Sequence, residues 1–305
     1  MNTMRSSIPT SSLLRLSALS ALAALIALPA CGGGGPVEFG EGGGGEGFGG
    51  STSSTSDGGA GGGLSGPSVQ IRMRSSTAPF PHGDGLSGQT PSAHTSGLRS
   101  LTLFRSPTDP DPFVVFDLGE NPVEVDYADG ADTLVYTTRA SAMPEATFTV
   151  ARVVHTHVRY RVAATMHAMG FVVPGFFDNL QVMSDGTRVD GQKRDAGYFE
   201  YVFEGGGQSF PASGNDAPVP EYTSSGGFEV VREDGEWAYY FPVSLVVTPD
   251  ITDDVQVVLS VNMHESYRWQ DQSLPDYQPG VFDVTPTSFE PVLRFGANSF
   301  ALTLE

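Results

Sequence analysis

The 305-residue chain is short of cysteine, of basic residues and of long apolar runs, and each shortage removes a class of protein. One cysteine, Cys31, excludes an intramolecular disulfide framework, a cysteine-rich zinc knot and an iron–sulfur cluster. Lys and Arg number 16 against 35 Asp and Glu, a formal charge of −19 at pH 7. Phosphate backbones are held by basic surfaces, so no nucleic-acid partner is expected. The most apolar run, Leu16 to Leu28, has 13 residues, too few for the ~20 of a spanning helix. No window carries apolar residues at i, i+3, i+4 and i+7, so helix is not expected. G-x-S-x-G, H-E-x-x-H, P-loop and dinucleotide-binding motifs are all missing.

What is present starts with an address. Arg5 and Arg15 make a positive n-region, no acidic residue precedes Glu38, and the apolar run ends in Leu28-Pro29-Ala30-Cys31. This is the layout of a secretory signal. A leucine at −3, a small residue at −1 and cysteine at +1 resemble the lipobox of bacterial lipoproteins, with Pro29 as the departure from its usual −2 residue. The resemblance implies cleavage before Cys31, so that 1–30 is a signal peptide. It also implies acylation of Cys31, attachment to a membrane through the lipid, and, with Gly32 at +2, sorting to the outer membrane, facing the periplasm or the exterior. Loss of Arg5 and Arg15 takes the formal charge from −19 to −21. An anionic membrane surface repels such a body, which leaves the holding to the acyl chains.

Glycine is distributed unevenly. Residues 32–66 contain 18 of the 38, mixed with Ser, Thr and a few Glu. So little apolar area cannot offset the entropy of ordering, and 31–66 reads as a lipidated cysteine followed by a disordered tether. A flexible coil of this length spans roughly 30–35 Å.

From residue 67 the apolar residues alternate with polar ones. Segments near 68–74, 98–105, 113–117, 122–127, 133–140, 147–166, 171–183, 197–203, 228–232, 237–248, 255–263, 291–295 and 299–304 read as strands separated by Gly, Pro, Asn and Asp clusters. Residues 75–97 read as a long surface loop. The expected fold class is all-β: an antiparallel β-sandwich spanning 67–305, with two packed halves meeting near 169/170 as the alternative. In the segment at 147–166, strict alternation puts Val150, Val154, Val158, Tyr160, Val162, Ala164 and Met166 on one face, and His155, His157, Arg159 and Arg161 on the other. Pro242 cannot donate to a ladder and belongs at an edge or a bulge. Signal, glycine tether and all-β body together are similar to bacterial surface lipoproteins, and HTSGLRSLTLF through TFTVARVVHTHVRY resembles half of a prealbumin-like sandwich.

Three constellations could carry chemistry. His155 and His157, at i and i+2 on a strand, would project ~7 Å apart from one face, near enough to share a zinc or copper ion. His264 is a candidate third ligand. Arg159 and Arg161 on the same face oppose this, and favour a solvated basic stripe paired with acids on a neighbouring strand. The segment 263–283 interleaves Tyr267, Trp269 and Tyr277 with carboxylates and carboxamides, which suits contact with a glycan or a protein. Its alternative is an inward-facing aromatic staple. Acidic turns, with Asp126, Asp129 and Asp132 or Asp185 and Asp190, have oxygens for calcium but match no EF-hand. The expectation is a lipid-anchored, non-catalytic binding or structural protein of the cell envelope that needs no cofactor. A metal-binding protein and a carboxylate-based hydrolase are the alternatives.

Overall fold

The computed structural model describes residues 66–217 and 227–305; the expected signal peptide, Cys31 and the expected tether up to residue 65 lie outside them. The described residues belong to one compact unit. The body is almost entirely strand. Along the chain run β1 (Ser68–Ser76), β2 (Ser87–Gln89), β3 (Ala93–Phe104), β4 (Phe113–Asp117), β5 (Val123–Asp126), β6 (Asp132–Arg139), β7 (Ala146–Ala168) and β8 (Phe171–Val182). They continue as β9 (Thr187–Val189), β10 (Gln192–Arg194), β11 (Phe199–Gly205), β12 (Gln208–Gly214), β13 (Glu229–Glu233) and β14 (Glu236–Val247). The last are β15 (Val255–Asn262), β16 (Tyr267–Trp269), β17 (Asp283–Thr285), β18 (Ser288–Phe289), β19 (Val292–Arg294) and β20 (Ser299–Leu304). Among the described residues no helix is long and apolar enough to cross a membrane.

Two sheets form the sandwich. The smaller has the order β20-β15-β1-β6 and is antiparallel except where β1 runs parallel to β15. Alternation on β1 turns Val69, Ile71 and Met73 inward, all fully buried, and leaves Arg72 and Arg74 outside on Asp132. The larger sheet has eleven strands built around β7. The inward side chains of both sheets share one core, in which Phe241 of β14 stacks on Phe300 of β20 with centroids 5.2 Å apart.

The 23-residue β7 is long enough to take two partners on each edge. One edge pairs with β14 along Ala146–His155 and with β8 along His157–Ala168. The other pairs with β3 along Val150–Arg161 and with β17 at Thr165 and Met166. The expected boundary region at 169/170 is the β7–β8 hairpin turn. Met169 and Gly170 there both have positive φ, 50° and 81°, the pair of conformations that a two-residue type I′ turn needs.

Residues 75–97 are not one long loop. The chain is strand at β2 and again from Ala93, where β3 begins five residues ahead of the expected Leu98. The expected edge or bulge at Pro242 is found: the β14–β7 register shifts directly after it, in the part of β14 that β13 does not cover.

Candidate functional site

The histidine pair is positioned by a bulge. Along β7 and β3, Leu98 pairs with His155 and Gly97 with His157, so Thr156 is an extra residue with no partner of its own. An extra residue reverses the alternation. Ala151, Val153 and His155 are therefore buried inward before Thr156, and Val158, Tyr160, Val162, Ala164 and Met166 after it. Strict alternation on one face is corrected accordingly: Val154 shares a side with neither Val153 nor His155. His155 and His157 point to opposite sides of the sheet, so a metal shared between them with His264 does not form.

Thr156 and His157 both stand over Gly97. A Cβ on Gly97 would lie 2.4 Å from Thr156 Oγ1 and 2.6 Å from His157 Nδ1, which is why only glycine fits there. Thr156 also marks the handover from β14 to β8: its carbonyl accepts Met183 N at 2.8 Å and Ser184 N at 3.2 Å.

On the inner side, His155 lies edge-on to Tyr239 at 5.1 Å, and His94 edge-on to Tyr127 at 4.9 Å. Ser96 Oγ donates to His157 O at 2.8 Å and so accepts from His155 Nδ1, also at 2.8 Å. That leaves His155 Nε2 as a buried acceptor without a partner; His94 Nδ1 is likewise buried and unpartnered. Burial lowers the pKa of His94 to about 3 and of His155 to about 4, with the charge of His155 on the first and of His157 on the second as the lesser cause. Both are neutral core residues.

The outer side is a ladder of cross-strand polar pairs, ionic where arginine takes part. His157 Nε2 meets Glu124 at 2.9 Å, Arg159 meets Asp190 at 2.7 Å, and Arg161 meets both Asp178 and Glu204 at 2.9 Å. Arg152 bridges Glu233 and Glu236, and Arg99 also bonds Glu236. The arginine stripe is thus paired with acids on adjacent strands and turns.

The aromatic segment folds inward. Trp269 is 0% and Tyr267 1% exposed, and both rings pack on Phe282 with centroids 5.4 and 5.2 Å away. Neither offers a face to a glycan or a protein, which corrects the expectation that placed a ligand on them. Tyr277 is half-buried against the His167 ring at 4.7 Å. What the aromatics staple is a cap made of β2, β16 and β19, joined to the edge of β7 by the Gln89 amide, which bonds both N and O of Ala163.

Carboxylates hold the cap's long connection, Asp283 and Glu290 from within the core. Asp271 accepts from Trp269 Nε1 and from Gly280 N. Asp283 accepts Gln278 N at 3.0 Å and lies 2.7 Å from His167 Nε2. Glu290 accepts Gln272 N at 2.7 Å and Asp283 N at 3.0 Å. Burial raises the Glu290 pKa, and the nearby Asp283 and Asp271 raise it further against those two N–H bonds. Arg268, itself buried, is bidentate on Asp84 at 2.7 and 3.0 Å. Burial would lift the Asp84 pKa, but the Arg268 bonds, the Leu86 N–H and the charges of Arg268 and Arg294 together outweigh it and hold the carboxyl below its usual range.

The acidic turns serve the backbone. Asp126 and Asp129 accept the N–H of Ala128 and Thr77, Asp132 pairs with Arg72 and Arg74, and Asp185 accepts Ala196 N. His264 sits in the turn after β15, beside His82 and Glu265. Among the described residues this is the one group of His and carboxylate ligands close enough to share a metal ion. His82 was invisible to sequence reasoning, because 182 residues separate it from His264 and no local pattern links them.

No family model, curated protein or solved structure matches the chain. The functional reading therefore rests on its own residues.

Proposed function

We propose that the protein is a lipid-anchored protein of the bacterial cell envelope, held in the outer membrane through Cys31, and that its β body has a binding or structural role rather than a catalytic one. The observation that carries this reading is Leu28-Pro29-Ala30-Cys31: the only cysteine of the chain stands where a lipobox is acylated, directly behind an apolar segment and ahead of the glycine-rich stretch. Several acyl chains give a stable anchor, and a body of formal charge −21 would not be drawn to an anionic surface by itself.

A binding role for the body is supported by one end of its large sheet. From Val162 to Phe177 no Asp, Glu, Lys or Arg occurs, across the β7–β8 hairpin. At its tip Met169 is 82%, Phe171 69% and Val172 53% exposed. Further from the tip the charge returns: Phe176 lies under the Arg161 guanidinium and opposite Glu204, and Phe210 of β12 faces the other side of the sheet. The apolar tip itself, Met169, Phe171 and Val172, suits a protein partner, whose interface core is depleted of charge. A glycan would call for rings with polar groups beside them. With Tyr267 and Trp269 buried, the hairpin tip takes their place as the contact surface, and Tyr277 stays at the margin of the cap.

Growth of a diderm bacterium expressing the chain with an alkyne fatty acid tests the anchor. Label on the protein, and its recovery with outer membranes, are expected. Cys31→Ser should lose both. An unlabelled parent protein would overturn the reading.

A further inference from the structure

His82 lies on the stretch between β1 and β2, and His264 and Glu265 lie in the turn after β15. One ligand atom from each comes within 4.8 Å of the other two. The two imidazoles stack, with centroids 6.2 Å apart and planes 15° from parallel. His82 Nε2 is 3.1 Å from the carbonyl oxygen of His264. A carbonyl only accepts, so Nε2 carries the proton and Nδ1 of the neutral ring keeps its lone pair. Metal-binding histidines are oriented in just this way, the second ring nitrogen donating to a carbonyl or carboxylate.

The turn itself is pinned. Asn298 Nδ2 donates to the same His264 carbonyl at 2.6 Å, and His264 N donates to Asn262 Oδ1 at 3.1 Å. Glu265 has φ of 45°, a left-handed conformation uncommon for a residue with a side chain, and its N–H is held by Thr90 Oγ1 at 2.8 Å. Arg268 approaches Glu265 at 3.6 Å, but that guanidinium is bidentate on Asp84, which also pairs with Arg294 at 3.2 Å. The guanidinium atom nearest Glu265 is Nη1, at 3.6 Å and beyond hydrogen-bond length, so the carboxylate keeps lone pairs for a metal that would share it with Arg268. One bond stands in the way: Phe80 N donates to His264 Nδ1 at 3.3 Å, and a metal on that ring would displace it.

We infer that His82, His264 and Glu265 form a site for a divalent transition-metal ion of the zinc class, with two imidazole nitrogens and one carboxylate oxygen as ligands and water completing the shell. Two nitrogens and one oxygen suit Zn2+ better than Ca2+, which prefers six to eight oxygens. The site is independent of lipidation, so its test uses the full chain carrying Cys31→Ser, which also removes the only thiol.

Calorimetric titration of that chain with ZnCl2 should give one bound ion per chain, and CaCl2 should give none. His82→Ala and Glu265→Gln should each weaken zinc binding by at least about 10–100-fold, the loss that follows when even the partners behind metal ligands are removed. His167→Ala, outside the site, should leave it unchanged. Zinc should raise the melting temperature of the parent chain but not that of His82→Ala; Glu265→Gln, at an exposed side chain, guards against a folding defect in the histidine variant. No zinc heat, or binding that survives both substitutions, would overturn the proposal.

Discussion

His155 and His157 stand two residues apart on one strand and face opposite sides of their sheet, because Thr156 between them is a bulge opposite Gly97. The inner ring sits among Tyr239 and Phe300, and the outer ring on Glu124. At this one point β7 changes partners from β14 to β8, and β3 changes from β5 to β4. The fork is a structural feature of the whole sheet.

Gly97→Ala tests the fork. Its methyl would overlap Thr156 Oγ1 and the His157 ring, and neither can withdraw without loss of its own bonds to Gly97 O and Glu124. Overpacking of this kind costs about 1–3 kcal/mol. Urea denaturation should show that loss, whereas Gly83→Ala, with nothing near its Cβ, should stay close to the parent.

Trp269→Ala should be among the most damaging changes in the body. A fully buried indole replaced by methyl costs about 3–5 kcal/mol, through lost burial and the cavity left on Phe282. Tyr277→Ala, at a half-buried ring, should cost far less. Equal losses at the two positions by thermal or urea unfolding would contradict the staple.

The buried imidazoles make stability depend on pH. In the unfolded chain they titrate near 6.5, whereas in the folded core His94 and His155 are held at about 3 and about 4. Between pH 6.5 and 4 the unfolded state binds more protons, so stability is full above 6.5 and falls as pH drops. Each group contributes a slope approaching about 1.4 kcal/mol per pH unit. Urea midpoints measured from pH 7 to 5 should decline, and His94→Phe should flatten the decline. A flat profile in the parent protein would refute neutral burial.

Asp283→Ala should release the connection between β16 and β17. The substitution leaves Gln278 N and His167 without their acceptor, at a cost of about 1–3 kcal/mol for a buried bond of this type. Limited proteolysis should then cut within 272–281 faster than in the parent, and the rate at that segment is the measurement.

Much of the fold was legible because it rests on alternation. Val69, Ile71 and Met73, or Val257, Leu259 and Val261, announce strands by period two alone, and β4 and β20 fall where the pattern puts them. Strands of two or three residues, such as β2, β9, β10, β16, β17 and β18, are too short to show a period. The edge strand β12, QSFPASG, exposes almost every side chain and so has no inward set to alternate. The site was less legible than the fold. A bulge is set by what lies across the strand, here Gly97, and nothing in HTH itself tells that Thr156 is the extra residue. The paired arginine stripe was foreseen from charge and register. The inward turn of Trp269 depends on a cavity lined by Phe282 and Tyr160's neighbour Tyr267, partners that only the folded chain assembles.

The central claim, anchoring through Cys31, is tested most directly by intact-mass and N-terminal mass spectrometry of the protein extracted from membranes of cells that express it. The account predicts a chain that begins at Cys31 and carries a diacylglyceryl thioether and an acylated amine. A mature chain that begins elsewhere, or an unmodified Cys31, would contradict it.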